Sequence, residues 1–81
     1  MDKQQIMNDL NTIFCQVLNK TSLELSEETS AKDVDGWNSL TNMQIISDAE
    51  KHFNIRFKLR EIIKMKNVGE LCDTILNKVS M

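Results

Sequence analysis

Ile6, Leu10, Ile13, Phe14, Val17 and Leu18 fall at the i, i+4, i+7, i+8 spacing of a single helical stripe. They predict a first helix over about residues 3–19, with Asp2 placed to cap its free N-terminal N–H groups. At roughly 100° per residue, Cys15 falls on the face opposite the stripe and is expected to be exposed. The same pattern returns near the end of the chain with Val68, Leu71, Cys72, Ile75, Leu76 and Val79, predicting a helix over about 68–79. Asn67 stands just before it and Glu70 three residues further on, a spacing like that of a capping box. Cys72 belongs to this apolar stripe and is expected to be a small buried hydrophobe, so no disulfide with the outward-facing Cys15 is expected.

A helix over residues 39–53 has the most informative wheel. With Leu40 at zero, Ile45, Ala49, Phe53, Ile46 and Met43 fall between about 140° and 300°, which predicts the core face. Lys51, Gln44, Asp48, Thr41 and His52 fall between about 20° and 120° or at the edge of that arc, and Leu40 stands among them. That position, at the helix start beside Ser39, makes Leu40 a candidate for contact with a partner.

Between the first two helices, residues 20–38 carry Leu23, Leu25 and Val34 as isolated apolar positions among polar ones. Such a length of loop calls for a function or a short concealed helical turn. It closes on Asp35-Gly36-Trp37, a turn followed by a large anchor. In residues 54–66, Ile62, Ile63 and Met65 predict one or two turns of a minor helix opening near Leu59. The expected fold is all-α, a small four-helix bundle of three principal helices and a short one, forming a single domain over residues 1–81.

Composition narrows the function. At 81 residues and 9.4 kDa the core is thin and leaves little depth for a large catalytic pocket. With 41% hydrophobic and 27% charged residues the chain reads as a soluble globular domain. No stretch resembles an export signal or a spanning helix, so a reduced, cytoplasmic protein away from membranes is expected. Residues 1–50 hold nine acids against three bases, whereas residues 51–81 hold three acids against seven bases. Five of those bases lie between Arg56 and Lys66, but only a single aromatic, Phe57, lies among them and the pI is near 5.3, which argues against nucleic acid and for a solvated helix face.

No acid–base pair, metal cluster, phosphate loop or activated nucleophile emerges, and the lone His52 reads as a surface residue. The remaining candidate is Ser39. A helix start presents free N–H groups and a positive dipole end, which favour a phosphate esterified to a serine there. Asn and Ser are equally ordinary caps, so local pattern leaves both readings of Asn38-Ser39 open.

Gly36-Trp37-Asn38-Ser39-Leu40, then Glu50-Lys51-His52-Phe53-Asn54-Ile55-Arg56-Phe57, then Lys64-Met65 and Val68 resemble, in order and over nearly the whole chain, the acyl carrier protein family. The resemblance implies a four-helix bundle with Ser39 as the attachment serine for 4'-phosphopantetheine, delivered from coenzyme A by a phosphopantetheinyl transferase. It implies a non-catalytic, monomeric carrier of thioester-linked acyl groups for fatty acid, lipid or polyketide biosynthesis. Its partners would be acyl-loading, condensing or acyl-transferring enzymes, met through Asn38, Leu40, Thr41, Gln44 and Asp48. Met43, Ile46, Ile62, Ile63 and Ile75 are the residues expected to line a core that shelters the acyl chain, or else to be plain core. Two departures stand out: Asn38 replaces the family's Asp, and the second helix lacks the family's usual run of acids. Both imply a specialised carrier with dedicated partners. Trp37 ahead of the motif also resembles carriers of secondary pathways, which keeps an aminoacyl or peptidyl carrier open, beside an unmodified helical interaction module.

Overall fold

A computed structural model describes residues 2–79. Four helices follow one another: α1 (Lys3–Leu18), α2 (Ser39–Phe53), α3 (Leu59–Lys64) and α4 (Val68–Val79), with no strand among the described residues. α1 packs against both α2 and α4. Its stripe supplies Ile6, Leu10, Ile13 and Phe14 to the core, α2 supplies Ile45, Ile46, Ala49 and Phe53, and α4 supplies Val68, Leu71, Cys72 and Ile75. No helix among the described residues is long and apolar enough to cross a membrane.

The helix ends follow from side-chain chemistry. Asp2 accepts a hydrogen bond from the Gln5 N–H at 2.9 Å, and Gln5 accepts one from the Asp2 N–H at 3.1 Å. α1 and α2 each stop at an asparagine in the left-handed region, Asn19 at φ 56° and Asn54 at φ 57°, a conformation asparagine tolerates better than most residues. At α4, Asn67 accepts from the Glu70 N–H at 2.8 Å, but Glu70 accepts from the Lys66 N–H at 2.9 Å rather than from Asn67, so the reciprocal bond reaches one residue further back than expected.

The long loop is fastened down. A single turn of 3-10 helix at Ala31–Asp33 supplies the concealed helical turn. The Val68 N–H donates to Thr29 O at 2.8 Å and the Gly69 N–H to Glu27 O at 2.9 Å, tying the loop to the start of α4. Gly69 is required by proximity: a Cβ there would lie 2.8 Å from both the Cβ and the carbonyl oxygen of Glu27. Lys3 pairs with Glu27 of the loop and, at 2.8 Å, with Asp73 of α4; both partners raise its pKa by hydrogen bonding to the ammonium. The loop's passage also corrects the exposure expected for Cys15. Asn11, one turn earlier, donates to Leu23 O, and Cys15 is half-buried with its Sγ donating to Asn11 at 3.4 Å. Cys72 is buried, its thiol pushed up to about 11 by desolvation.

Two expected core residues lie outside the core. Met43 is 53% exposed and Ile63 70% exposed. Met43 stands about 60° beyond Ile46 on the wheel, and α3, only six residues long, turns Ile62 rather than Ile63 inward. Ile46 and Ile75 are buried as expected. Ile46 and Ile62 line a cavity with Trp37, Asn42, Met65 and Leu71, but its volume is about 10 Å³. That is room for a single water and not for an acyl chain.

Candidate functional site

The segment leading into α2 fixes the geometry around Ser39. Gly36 adopts φ 90°, a left-handed value that favours glycine. Trp37 then folds back, its ring edge-on to Phe14 at 4.8 Å between centroids, and its indole N–H donates to Asn42 Oδ1 at 3.0 Å. One side chain thereby joins the loop to α1 and α2. Asn38 is extended and is the capping residue: its Oδ1 accepts from the Leu40 N–H at 2.9 Å and the Thr41 N–H at 3.1 Å. Thr41 completes the box, its Oγ1 accepting from the Asn38 N–H at 2.8 Å and donating to Gly36 O at 2.8 Å.

Of the two readings that local pattern left open, the cap falls to Asn38. Asn38 does the capping, and Ser39 occupies the first position of the helix, exposed, with its hydroxyl outside the hydrogen bonds among the described residues. Ser39 opens onto a groove of about 520 Å³ lined also by Ser30, Lys32, Trp37, Met65 and Lys66. Asp33, the acid nearest in sequence to Lys32, accepts from the Ser30 N–H at 3.0 Å and from the Ser30 hydroxyl. The groove at Ser39 combines a helix N-terminus with two lysines in its wall.

The other expected site residues divide. Leu40 is 84% exposed beside Ser39. Gln44 is exposed one turn on, and its side chain donates to the half-buried Asp48 at 2.9 Å. Thr41 faces the cap, so its hydroxyl is committed within the chain. His52 is exposed but not idle, one ring nitrogen lying 3.0 Å from Asp9 of α1. Lys32 and Lys66 were not anticipated as groove residues, because no spacing rule connects positions so far apart in sequence. The Trp37–Asn42 bond has no sequence signal either.

The phosphopantetheine attachment site family matches residues 8–75. An acyl carrier protein of Exiguobacterium sp. is 32% identical over 98% of this chain and the whole of its own length. The chain belongs to the acyl carrier protein family. A second such carrier, from Exiguobacterium sibiricum, is 30% identical over the same span. The solution structure of holo acyl carrier protein from Geobacter metallireducens is 43% identical, with a TM-score of 0.87 over 93% of this chain and 86% of that one. BlmI, a type-II acyl carrier protein of Streptomyces verticillus involved in bleomycin biosynthesis, superposes with a TM-score of 0.74 over 93% of this chain and 87% of its own, at 16% identity, a likeness of fold alone.

The cofactor of this acyl carrier is 4'-phosphopantetheine. The residues present fit it: a free hydroxyl at a helix start, an open groove, and two ammonium groups able to face a phosphodiester.

Proposed function

We propose that Ser39 carries the 4'-phosphopantetheine arm and that the chain is a specialised, non-catalytic carrier. It holds acyl intermediates and presents them to loading, condensing or transferring enzymes. The observation that carries this reading is the capping by Asn38, which leaves the Ser39 hydroxyl free at the mouth of the groove. When bound, the group supplies a thiol at the end of a flexible arm, which raises the effective concentration of cargo at a partner's active site. The chain's own residues hold the attachment point. The helix start and the Lys32 and Lys66 ammonium groups balance the phosphodiester charge, while Trp37 and Met65 give the groove an apolar wall for the arm.

A phosphopantetheinyl transferase is the first partner in this reading, and the carrier acts as a monomer in the cytoplasm. Its specialised character rests on Asn38 in the place of the family's Asp and on an outer α2 face where Asp48 is engaged by Gln44 and Lys51 is exposed.

Intact-mass spectrometry after incubation with coenzyme A and a broad-specificity transferase tests the assignment. The wild type should gain one phosphopantetheine and Ser39→Ala none. Modification of Ser39→Ala, or an unmodified wild type, overturns it. Offering the loaded arm acyl and amino acid donors then separates an acyl from an aminoacyl carrier.

A further inference from the structure

α3 and its flanks are electrostatically one-sided. Arg56, Lys58, Arg60, Lys64 and Lys66 form no ion pair among the described residues. The acids of the same region are all occupied within the fold. Glu50 accepts from the Phe57 N–H at 2.8 Å. Glu61 accepts from the Lys58 N–H at 2.7 Å and pairs with Lys78 at 2.9 Å, contacts that hold its carboxyl below the usual glutamate range. Glu70 accepts from the Lys66 N–H at 2.9 Å, and Asp73 pairs with Lys3 at 2.8 Å. From Arg56 to Lys66 five bases stand against the one acid Glu61, so what this stretch offers to solvent is predominantly cationic.

The helix is also divided cleanly by side. Glu61 and Ile62 are half-buried, whereas Leu59, Arg60, Ile63 and Lys64 are exposed. By the helical wheel, those four share one arc of about 140°, two apolar residues alongside two cations. Ile62 of α3 and Ile46 and Asn42 of α2 wall the same small cavity, which brings the two helices side by side there; Ile63 and Met43, each next in sequence to one of these lining residues, are both exposed. Leu40 extends the apolar surface to Ser39.

We propose that the outer face of α3, with Leu59, Arg60, Ile63 and Lys64, together with Leu40 and Met43 of α2, docks on a partner protein whose contact surface presents carboxylates around an apolar recess. The proposal rests on the carrier reading above and adds the chemistry of the partner. Complementarity selects carboxylates, because unpaired cations steer encounter with acidic surfaces and penalise basic ones. A protein is favoured over an anionic membrane: the four exposed apolar side chains are split between a six-residue helix and the start of α2, not laid along one continuous amphipathic helix that could lie in a lipid interface, and the face adjoins the point from which cargo must be handed over.

Isotope-labelled holo-protein, its loading verified by intact mass, is titrated with three probes while backbone amides are followed by NMR. The probes are an amphipathic helical peptide with Glu on its polar face and Leu on the other, the same peptide with Lys in place of Glu, and phosphatidylglycerol vesicles. The acidic peptide should perturb Leu59 to Lys64 together with Leu40 and Met43, and should weaken as ionic strength rises. Arg60→Glu combined with Lys64→Glu should lower its affinity roughly tenfold, while Lys51→Glu, on the exposed side of α2, should change it by less than about twofold. Tighter binding of the Lys peptide, perturbations confined to other surfaces, or vesicles engaging this face where the acidic peptide does not, would each overturn the proposal. The apo protein carries the same side chains, so its titration decides the charge preference of α3 even if Ser39 proves not to take the arm.

Discussion

α1 buries Ile6, Leu10 and Phe14 completely, whereas α3 buries no residue at all. The first is held by an apolar stripe gripped by two neighbouring helices. The second is held by Ile62 and Met65 packed from one side, by the Glu61–Lys78 pair and by backbone bonds to Glu61. Segments with few buried apolar contacts open at lower free energy than core helices. The contrast teaches where this carrier keeps its rigidity. α2 belongs to the packed side through Ile45, Ile46, Ala49 and Phe53, so Ser39 at its start is held steadily, while the exposed face of α3 is more easily reshaped.

Phe14→Ala tests the packed side and has the largest expected effect, about 3–5 kcal/mol lost in urea denaturation, since the ring is fully buried and also supports Trp37. A loss no larger than that of an exposed residue would break the contrast. Gly69→Ala tests the strap between the long loop and α4, where the added methyl meets Glu27 backbone. Overpacking of that kind should cost about 1–3 kcal/mol, and hydrogen exchange should show the amides of Val68 and Gly69 losing protection before those of α1.

Asn38→Ala removes the acceptor for two N–H groups and should cost about 1 kcal/mol in thermal or chemical unfolding. Asn38→Asp keeps the acceptor and places a carboxylate at the positive helix end, which should stabilise by about 0.3–1 kcal/mol. If a transferase suited to the acidic motif then modifies Ser39 faster, stability and recognition at this residue are separable. Leu40→Ala should change stability by no more than about 0.5 kcal/mol, because the side chain is 84% exposed. A loss in the buried range would move Leu40 into the packed half.

The parts of the fold legible in the sequence were those written as periodicity. The stripes of α1 and α4 and the bounds of α2 follow from apolar spacing that burial then uses directly. Met43 was misplaced because a wheel orders residues around one helix without knowing how far its neighbour reaches, and Ile63 because a helix of six residues has too few turns for spacing to show which of Ile62 and Ile63 faces inward. At the site, the place of Ser39 at the start of an apolar helix made it a candidate, and only the family resemblance singled it out. Its release from capping was not, since whether Asn38 or Ser39 caps is decided by the backbone geometry set by Gly36 and Trp37. Lys32 and Lys66 reach the same groove only through tertiary folding.

Trp37 has one more consequence. The chain contains a single tryptophan and no tyrosine, and that indole forms part of the wall of the groove at Ser39. Its fluorescence therefore comes from one place, beside Ser39, with its N–H held by Asn42. With the arm on Ser39 as proposed, a change of cargo or of arm position in the groove would alter the polarity around that ring, giving the carrier an intrinsic optical reporter of its own loading that needs no added label.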